Sequence, residues 1–120
     1  MANSLAPCPE SPNCVSSLAE NTKSKVAPLS YSGDLEIAKQ RLLAIVAQLP
    51  RTAVVSNDEN YIHVTQASFV FRFIDDIEFL FDDAAKLIHV RSASRTGYLD
   101  FGVNRKRVIN IRALFDHRPE

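Results

Sequence analysis

Residues 69–81 alternate with a period of two, and this alternation constrains the fold more than any other feature of the sequence. The odd positions hold Phe69, Phe71, Phe73, Asp75, Ile77, Phe79 and Phe81, and the even positions hold Val70, Arg72, Ile74, Asp76, Glu78 and Leu80. Successive side chains of a strand point to opposite faces, so the pattern predicts a β-strand with a phenylalanine-rich face on the core. Asp75 interrupts that apolar row.

A hairpin should follow this strand. Asp82, Asp83, Ala84 and Ala85 are expected to turn the chain into a last strand over residues 86–95. If these four residues form the whole loop, the pairs are Phe81 with Lys86, Phe79 with Ile88, Glu78 with His89, Ile77 with Val90, Asp76 with Arg91, and Asp75 with Ser92. Opposite charges then meet on one face and apolar groups on the other, which favours this register.

The remaining elements indicate an α+β fold. A helix should begin at the N-cap Asp34, with an apolar face formed by Leu35, Ala38, Leu42, Ile45, Val46 and Leu49, and end at Pro50. Strands are predicted at residues 52–56 and 61–65. A final helix is predicted from about Asp100, as N-cap, to Phe115, with a buried stripe of Val108, Ile111, Leu114 and Phe115. The expected architecture is an antiparallel sheet of about four strands with two helices packed on one face.

Residues 1–33 differ from the rest because they hold four of the six prolines. Proline fixes φ and removes a hydrogen-bond donor, which predicts a mostly irregular Pro-rich arm packed on the domain. Residues 34–120 are then a single α+β domain.

Composition excludes several classes of protein. The chain has 120 residues, of which 46% are hydrophobic and 23% charged, as in an ordinary globular domain. Fourteen basic and fourteen acidic residues cancel, so nucleic acid is not an expected partner. No stretch approaches the ~20 apolar residues of a membrane helix. The N-terminus as given shows no secretory signal, so a soluble cytoplasmic protein is expected, or an exported or plastid-lumenal one if a targeting segment was removed.

Cys8 and Cys14 lie close together in the Pro-rich arm. A disulfide closing this short loop would stabilise the fold by about 2 kcal/mol, and free thiols are equally expected if the protein is cytosolic. A metal site would need two further ligands, and His63, His89 and His117 lack paired spacing. Neither a metal nor a cofactor is predicted.

Charge is unevenly distributed in the second half of the chain. Residues 91–112 contain six bases and one acid, whereas residues 75–83 contain five acids and no base. The two blocks are expected mainly to neutralise each other. The same segment could instead form an anion site, since strand-end serines, guanidinium groups and a helix N-terminus all bind anions.

Asp75 has two interpretations. A carboxylate on an apolar face costs several kcal/mol unless it is paired or protonated. The favoured interpretation is a structural ion pair with an arginine of the final helix, and the alternative is an acid/base group beside Arg91 or Arg95. No catalytic motif of a known class is present.

Three motifs carry a family resemblance: Cys-Pro-x-Ser-Pro-Asn-Cys-Val-Ser-Ser at residues 8–17, Phe-x-Asp-Asp-x-Glu-Phe at residues 73–79, and Arg-Ser-Ala-Ser-Arg-x-Gly-x-x-Asp-x-Gly-x-Asn-Arg-x-Arg at residues 91–107. In this order they resemble the domain of unknown function 1499 family across almost the whole chain. The family supplies no agreed activity. Its members often resemble exported, lipid-anchored or plastid proteins, which implies a Cys8–Cys14 disulfide.

The leading functional hypothesis is a non-catalytic binding or accessory domain with a polar, anion-binding site in residues 91–107. Its ligand would be a small anion or a protein. An enzyme using Asp75 is the first alternative, and a protein-interaction or assembly factor, recognised through Arg72 and Glu78, is the second. The candidate binding residues are Asp75, Asp76, Arg91, Ser92, Ser94, Arg95, Asp100, Asn104, Arg105 and Arg107.

Overall fold

Six strands and two helices form the part of the chain that the structure describes. The structure is a computed structural model that describes residues 4–69, 72–97 and 102–117. The elements in chain order are β1 (Cys14–Ser16), β2 (Leu29–Ser30), α1 (Leu35–Gln48), β3 (Thr52–Asn57), β4 (Tyr61–Ala67), β5 (Ile74–Asp82), β6 (Leu87–Ser94) and α2 (Val103–Asp116). The α+β class is therefore confirmed.

All the strand pairs are antiparallel. The sheet has the order β1-β6-β5-β4-β3, and β2 also pairs with β6. The prediction of about four strands is wrong by two, because β1 and β2 come from the segment expected to be irregular. Each has three residues or fewer, too short for alternation to show in the sequence. The division into an arm of residues 1–33 and a domain of residues 34–120 stays a prediction.

The core lies between one face of the sheet and the two helices. Buried residues of that face alternate along each strand, as in Ile62 and Val64 of β4 or Ile77 and Phe79 of β5. The helices contribute Ala38, Leu42, Val46, Val108, Ile111 and Phe115 to the same cluster. The opposite face of the sheet is half-buried and polar.

The helix boundaries follow the sequence signals in α1 but not in α2. Asp34 is the N-cap of α1, as predicted, and Pro50 follows the C-cap Leu49. The N-cap of α2 is Gly102, with a φ of 79° that favours glycine, so the predicted start at Asp100 is wrong. Asp100 itself lies outside the described residues. Leu114, expected in the buried stripe, is exposed.

The strand predicted over residues 69–81 begins only at Ile74. Phe69 and Phe73, expected on the core, are 75% and 55% exposed, and Phe71 lies outside the described residues. Two hydrogen bonds of 2.9 Å close the loop between Ser68 and Phe73. The Ser68 amide donates to the Phe73 carbonyl, and the Phe73 amide donates to Ser68 Oγ. The alternating pattern of residues thus extends beyond the strand into a loop. No glycine or proline there indicates in the sequence that the strand has not yet begun.

The β5–β6 register differs from the prediction by two residues. Asp82 pairs with Leu87, so the turn is residues 83–86, and Lys86 adopts a positive φ of 58° within it. A turn displaced by one residue shifts every partner by two positions and leaves each side chain on its expected face. Asp76 therefore faces Ala93 instead of Arg91, and Glu78 faces Arg91 instead of His89.

Candidate functional site

The candidate residues are divided between the two faces of the sheet. Asp75 and Asp76 are neighbours on β5, so their side chains point in opposite directions. Asp75, Ser92 and Ser94 lie on the helix-covered face, where they meet Asn104 and Arg107 of α2. We call these five residues the inner polar cluster. Asp76, Arg91 and Arg95 lie on the other face, in what we call the outer polar row.

Arg107 is the centre of the inner polar cluster. Its side chain is 10% exposed, and its Nη2 donates to the Asp75 carboxylate at 2.6 Å. Its Nε donates to Gln66 Oε1 at 2.6 Å, and its Nη1 donates to Asn104 Oδ1 at 2.7 Å and Ser92 Oγ at 3.1 Å. The Asp–Arg ion pair expected between Asp75 and the last helix is present. It holds α2 to β5.

Ser92 and Asn104 extend this network to the N-terminal segment. Both are fully buried, and Ser92 Oγ donates to Asn104 Oδ1 at 2.6 Å. The Asn104 amide donates to Ser94 Oγ at 3.0 Å and to the Asn13 carbonyl at 3.2 Å. Because these groups satisfy one another, the inner polar cluster is primarily structural, and it joins α2 to β5, to β6 and to the segment that precedes β1.

The start of β1 is fixed covalently as well. Cys8 and Cys14 form a disulfide, with Cα atoms 5.7 Å apart. The backbone of Asn13, next to Cys14, accepts from the Ser94 amide at 3.0 Å, and its side chain donates to the Gly97 carbonyl at 2.6 Å. The disulfide loop thus positions Asn13 beside the end of β6.

The outer polar row has Asp76 as its most heavily paired member. Arg95 donates to both Asp76 oxygens, at 2.8 and 2.9 Å, and His63 Nε2 lies 2.8 Å from the same carboxylate. The Arg95 hydrogen bond, opposed by partial burial and assisted by His63, lowers the pKa of Asp76 below its usual value.

Glu78 continues the outer polar row. The Tyr61 hydroxyl donates to it at 2.5 Å, and Arg91 Nη1 lies 3.5 Å away. Burial, and then the hydrogen bond to Glu78, raise the pKa of Tyr61. Arg91 also reaches the Pro7 carbonyl at 3.4 Å. The charges of Arg91 and Arg95 are therefore matched by the acids of β5.

Arg105 supports the N-terminal segment and points away from the cluster. Its guanidinium donates to the carbonyls of Lys25 at 2.9 Å and Lys23 at 2.6 Å. The geometry required for acid/base chemistry by Asp75 beside Arg91 or Arg95 is not present, because those arginines occupy the opposite face.

A cleft of about 550 Å³ opens at the end of the inner polar cluster. Asp75 and Arg107 line it from the sheet and from α2, together with Gln66. The rest of the lining is apolar, basic or neutral polar, and comprises Leu49, Pro50, Arg51, Ala67, Ser68, Phe69, Val103, Lys106 and Asn110. The cleft lies between the loop that joins β4 to β5 and the first turns of α2.

Sequence reasoning missed several residues of this region. Gln66 and His63 lie on β4, and nothing in their local pattern indicated that they would contact β5 or α2. Lys106 lies inside the basic segment, but only its neighbours Arg105 and Arg107 were among the candidate binding residues. Asn13 lies within the cysteine motif, so its proximity to two cysteines was a signal that could have been used.

Neither helix of the described ranges is long and apolar enough to cross a membrane. Among the same residues, no group of three or more His, Cys, Asp or Glu side chains could hold a metal ion.

The fold and the two polar clusters define a small α+β domain with a cleft beside its last helix. The family described as "Protein of unknown function (DUF1499)" matches residues 4–115. The chain belongs to this family. No curated protein matches the sequence.

Proposed function

We propose that this chain is a non-catalytic binding domain that takes a small organic anion in the cleft beside α2. The observation that carries the proposal is the charge of the cleft: Arg51, Lys106 and Arg107 line it with a single acid, Asp75. Such a lining has a formal charge of +2 in a chain whose total charge is zero. A small anion would therefore be attracted to this end of the molecule.

The available positive charge is mainly that of Lys106 and Arg51. Arg107 is already bound to Asp75, Gln66, Ser92 and Asn104. Lys106 and Arg51 are exposed, and neither forms an ion pair within the described residues. They are the groups that an incoming carboxylate or phosphate would contact.

The apolar part of the lining suggests the rest of the ligand. Leu49, Pro50, Phe69 and Val103 present hydrocarbon surface in the same cleft. A cavity of this size accommodates a small molecule, and pockets of this kind combine apolar walls with a few polar groups. We infer a ligand that has one anionic group and a short hydrocarbon portion.

Only some of the binding residues expected from the sequence lie at the cleft. Of the ten candidates, Asp75 and Arg107 line the cleft, while Ser92 and Asn104 hold them in place through the inner polar cluster. Arg91, Arg95 and Asp76 belong to the outer polar row. A protein-interaction role through Arg72 and Glu78 has less support, because Glu78 already binds Tyr61 and Arg91.

The Cys8–Cys14 disulfide supports an oxidising compartment as the place where the domain works. Disulfides persist in exported, periplasmic and lumenal proteins and are rare in the reducing cytosol. Mass spectrometry of the protein from its native source, after thiol blocking, tests this inference. Recovery of both cysteines in the blocked form would contradict it.

Calorimetric titration with acetate, hexanoate, phosphate and hexyl phosphate tests the binding proposal. Hexanoate should bind more tightly than acetate, and hexyl phosphate more tightly than phosphate, because the hydrocarbon portion of the longer ligands also covers the apolar walls. Lys106→Gln should weaken binding about fivefold, the equivalent of about 1 kcal/mol for an exposed charge.

Lys23→Gln is the matched control, since Lys23 is exposed and lies outside the cleft. It removes the same charge and should leave the affinity unchanged. The proposal is wrong if none of the four anions binds, or if Lys23→Gln and Lys106→Gln weaken binding equally.

A further inference from the structure

The loop between β4 and β5 exposes two aromatic side chains. Phe69 is 75% exposed, the largest value for a large hydrophobic side chain among the described residues, and Phe73 is 55% exposed. Burial of such a large apolar side chain would stabilise the fold, and at this loop more than half of each side chain stays in water instead. Exposed aromatics that lie close together mark a surface that contacts something else.

The loop holds these rings in a defined arrangement. Ser68 is hydrogen-bonded to Phe73 through its backbone amide and through its hydroxyl, at 2.9 Å in each case. The Arg51 guanidinium lies 5.5 Å from the centre of the Phe69 ring and donates through Nε to the Ala67 carbonyl at 2.8 Å. The Phe69 ring is therefore held against Arg51, and the two ends of the loop are joined by the bonds between Ser68 and the Phe73 backbone.

Three basic residues lie in or beside this loop: Arg72 within it, Arg51 against the Phe69 ring, and Lys106 in the cleft that Phe69 also lines. Arg51, Arg72 and Lys106 are exposed, and no ion pair within the described ranges involves any of them. The sequence contains no Asp or Glu from residue 60 to residue 74. By contrast, Arg91, Arg95 and Arg107 all pair with acids of β5.

We propose that this hairpin end docks on the surface of an anionic lipid bilayer. Phe69 and Phe73 would enter the interface between headgroups and acyl chains, while Arg51, Arg72 and Lys106 contact lipid phosphates. Aromatic rings favour this interfacial depth, and basic residues near an anionic membrane add to the attraction. The hairpin borders the cleft, so docking would place the mouth of the cleft against the lipid headgroups.

The charge of this surface distinguishes a bilayer from a second copy of the chain. A symmetric dimer formed through the hairpin would bring Arg72 and Lys106 of one copy against the same residues of the other. Like charges at such a contact repel, whereas an anionic bilayer complements them.

A single-tryptophan probe tests the proposal, because the chain contains no tryptophan. Phe73→Trp should shift its emission to the blue when vesicles of equal parts phosphatidylcholine and phosphatidylglycerol are added, and much less with pure phosphatidylcholine. Ile37→Trp is the control, since Ile37 is 63% exposed on α1. Its emission should not shift.

Co-sedimentation with the same mixed vesicles measures the contribution of each group. Phe69→Ser/Phe73→Ser should lower the partition coefficient at least about tenfold, given the transfer free energy of an aromatic side chain. Arg72→Gln should lower it about fivefold. Ile37→Ser/Ile109→Ser and Lys23→Gln replace exposed apolar and basic groups elsewhere and should leave the partition coefficient unchanged. Circular dichroism verifies the fold of each variant.

No binding to the mixed vesicles would overturn the proposal, as would binding that survives Phe69→Ser/Phe73→Ser. Equal emission shifts for Phe73→Trp and Ile37→Trp would also overturn it, since adsorption would then not be directed by the hairpin. Phe69 lines the cleft, whereas Phe73 and Arg72 do not. The Phe73→Trp emission shift and the Arg72→Gln effect therefore test docking separately from anion binding in the cleft.

Discussion

Replacement of Asp75 by Asn should destabilise the protein strongly, because it leaves the buried Arg107 charge without its carboxylate. The two side chains are 12% and 10% exposed and are joined at 2.6 Å. The other partners of the Arg107 guanidinium, Gln66, Ser92 and Asn104, are neutral. Removal of one member of such a buried pair costs about 3–5 kcal/mol.

This loss should be large in a thermal experiment. The entropy of unfolding is about 2.1 cal/mol/K per residue, so a chain of this length should lose roughly 10–20 °C in Tm for that free energy. Urea unfolding followed by circular dichroism gives the free energy directly. The Asp75→Asn/Arg107→Met double variant should lose less than the sum of the two single variants, because the two residues interact.

Asp76→Asn is the control, since Asp76 is the next residue but lies on the outer face. Its Arg95 partner is half exposed, so this change should cost no more than about 1 kcal/mol. A loss below ~0.5 kcal/mol for Asp75→Asn, or equal losses for the two variants, would refute the assignment of Asp75 as the buried tie between β5 and α2.

Three further predictions concern the disulfide and the titrating groups. Cys8→Ser/Cys14→Ser should lower the stability by about 2 kcal/mol, and reductant should then have no effect on its Tm; an unchanged Tm relative to the parent protein would contradict this. The pKa of Asp76 is lowered in the fold by Arg95 and His63, so its stabilisation is complete above the unfolded carboxyl value of about pH 4 and is lost as the pH falls through the folded pKa. The difference in stability between the parent protein and Asp76→Asn should therefore shrink in urea titrations below about pH 4, and a constant difference would count against the ion pair. Burial, with the hydrogen bond to Asp83, raises the pKa of Tyr31, so the stabilisation is present below about pH 10 and is lost at higher pH. Tyr31→Phe should consequently lose less stability than the parent protein between about pH 9 and pH 11, and parallel losses would argue against the Tyr31–Asp83 bond.

The sequence was most informative where signals of different kinds coincide. Asp34 and Pro50 delimit a segment of helical period, and α1 lies between them. The alternation around Ile77 and Phe79 assigns their side chains to the core, and both are fully buried. Asp75 on that apolar face implied a buried cation, which Arg107 supplies.

Alternation could not reveal where β5 begins. Phe69 and Phe73 continue the pattern of the strand, but they belong to a loop that Ser68 closes. The same limit explains why the predicted β5–β6 register is wrong. A two-residue shift leaves each side chain on its face of the sheet and changes only its partner on the other strand. The turn places Lys86 in the left-handed conformation. Lysine has no preference for that conformation, so the sequence does not indicate the position of the turn.

The period-two alternation of β5 and β6 predicted which polar residues lie on each face of the sheet. It did not predict the cleft. Gln66, Arg51 and Phe69 reach it from β4 and from the two loops beside it, and contacts between segments so far apart leave no local pattern. The composition of residues 91–107 suggested an anion site in that segment as a whole. The structure shows that most of its charge is matched by acids of β5, and Lys106 was not recognised as the cation facing the cleft.

The most direct test of the binding proposal is a titration of the isotope-labelled protein with hexanoate, followed through its amide resonances. Concentration-dependent shifts are predicted for residues that line the cleft, above all Arg51, Gln66, Lys106 and Arg107. Saturable shifts centred instead on Arg91 and Arg95 of the outer polar row, or the absence of any shift, would contradict an anion site beside α2.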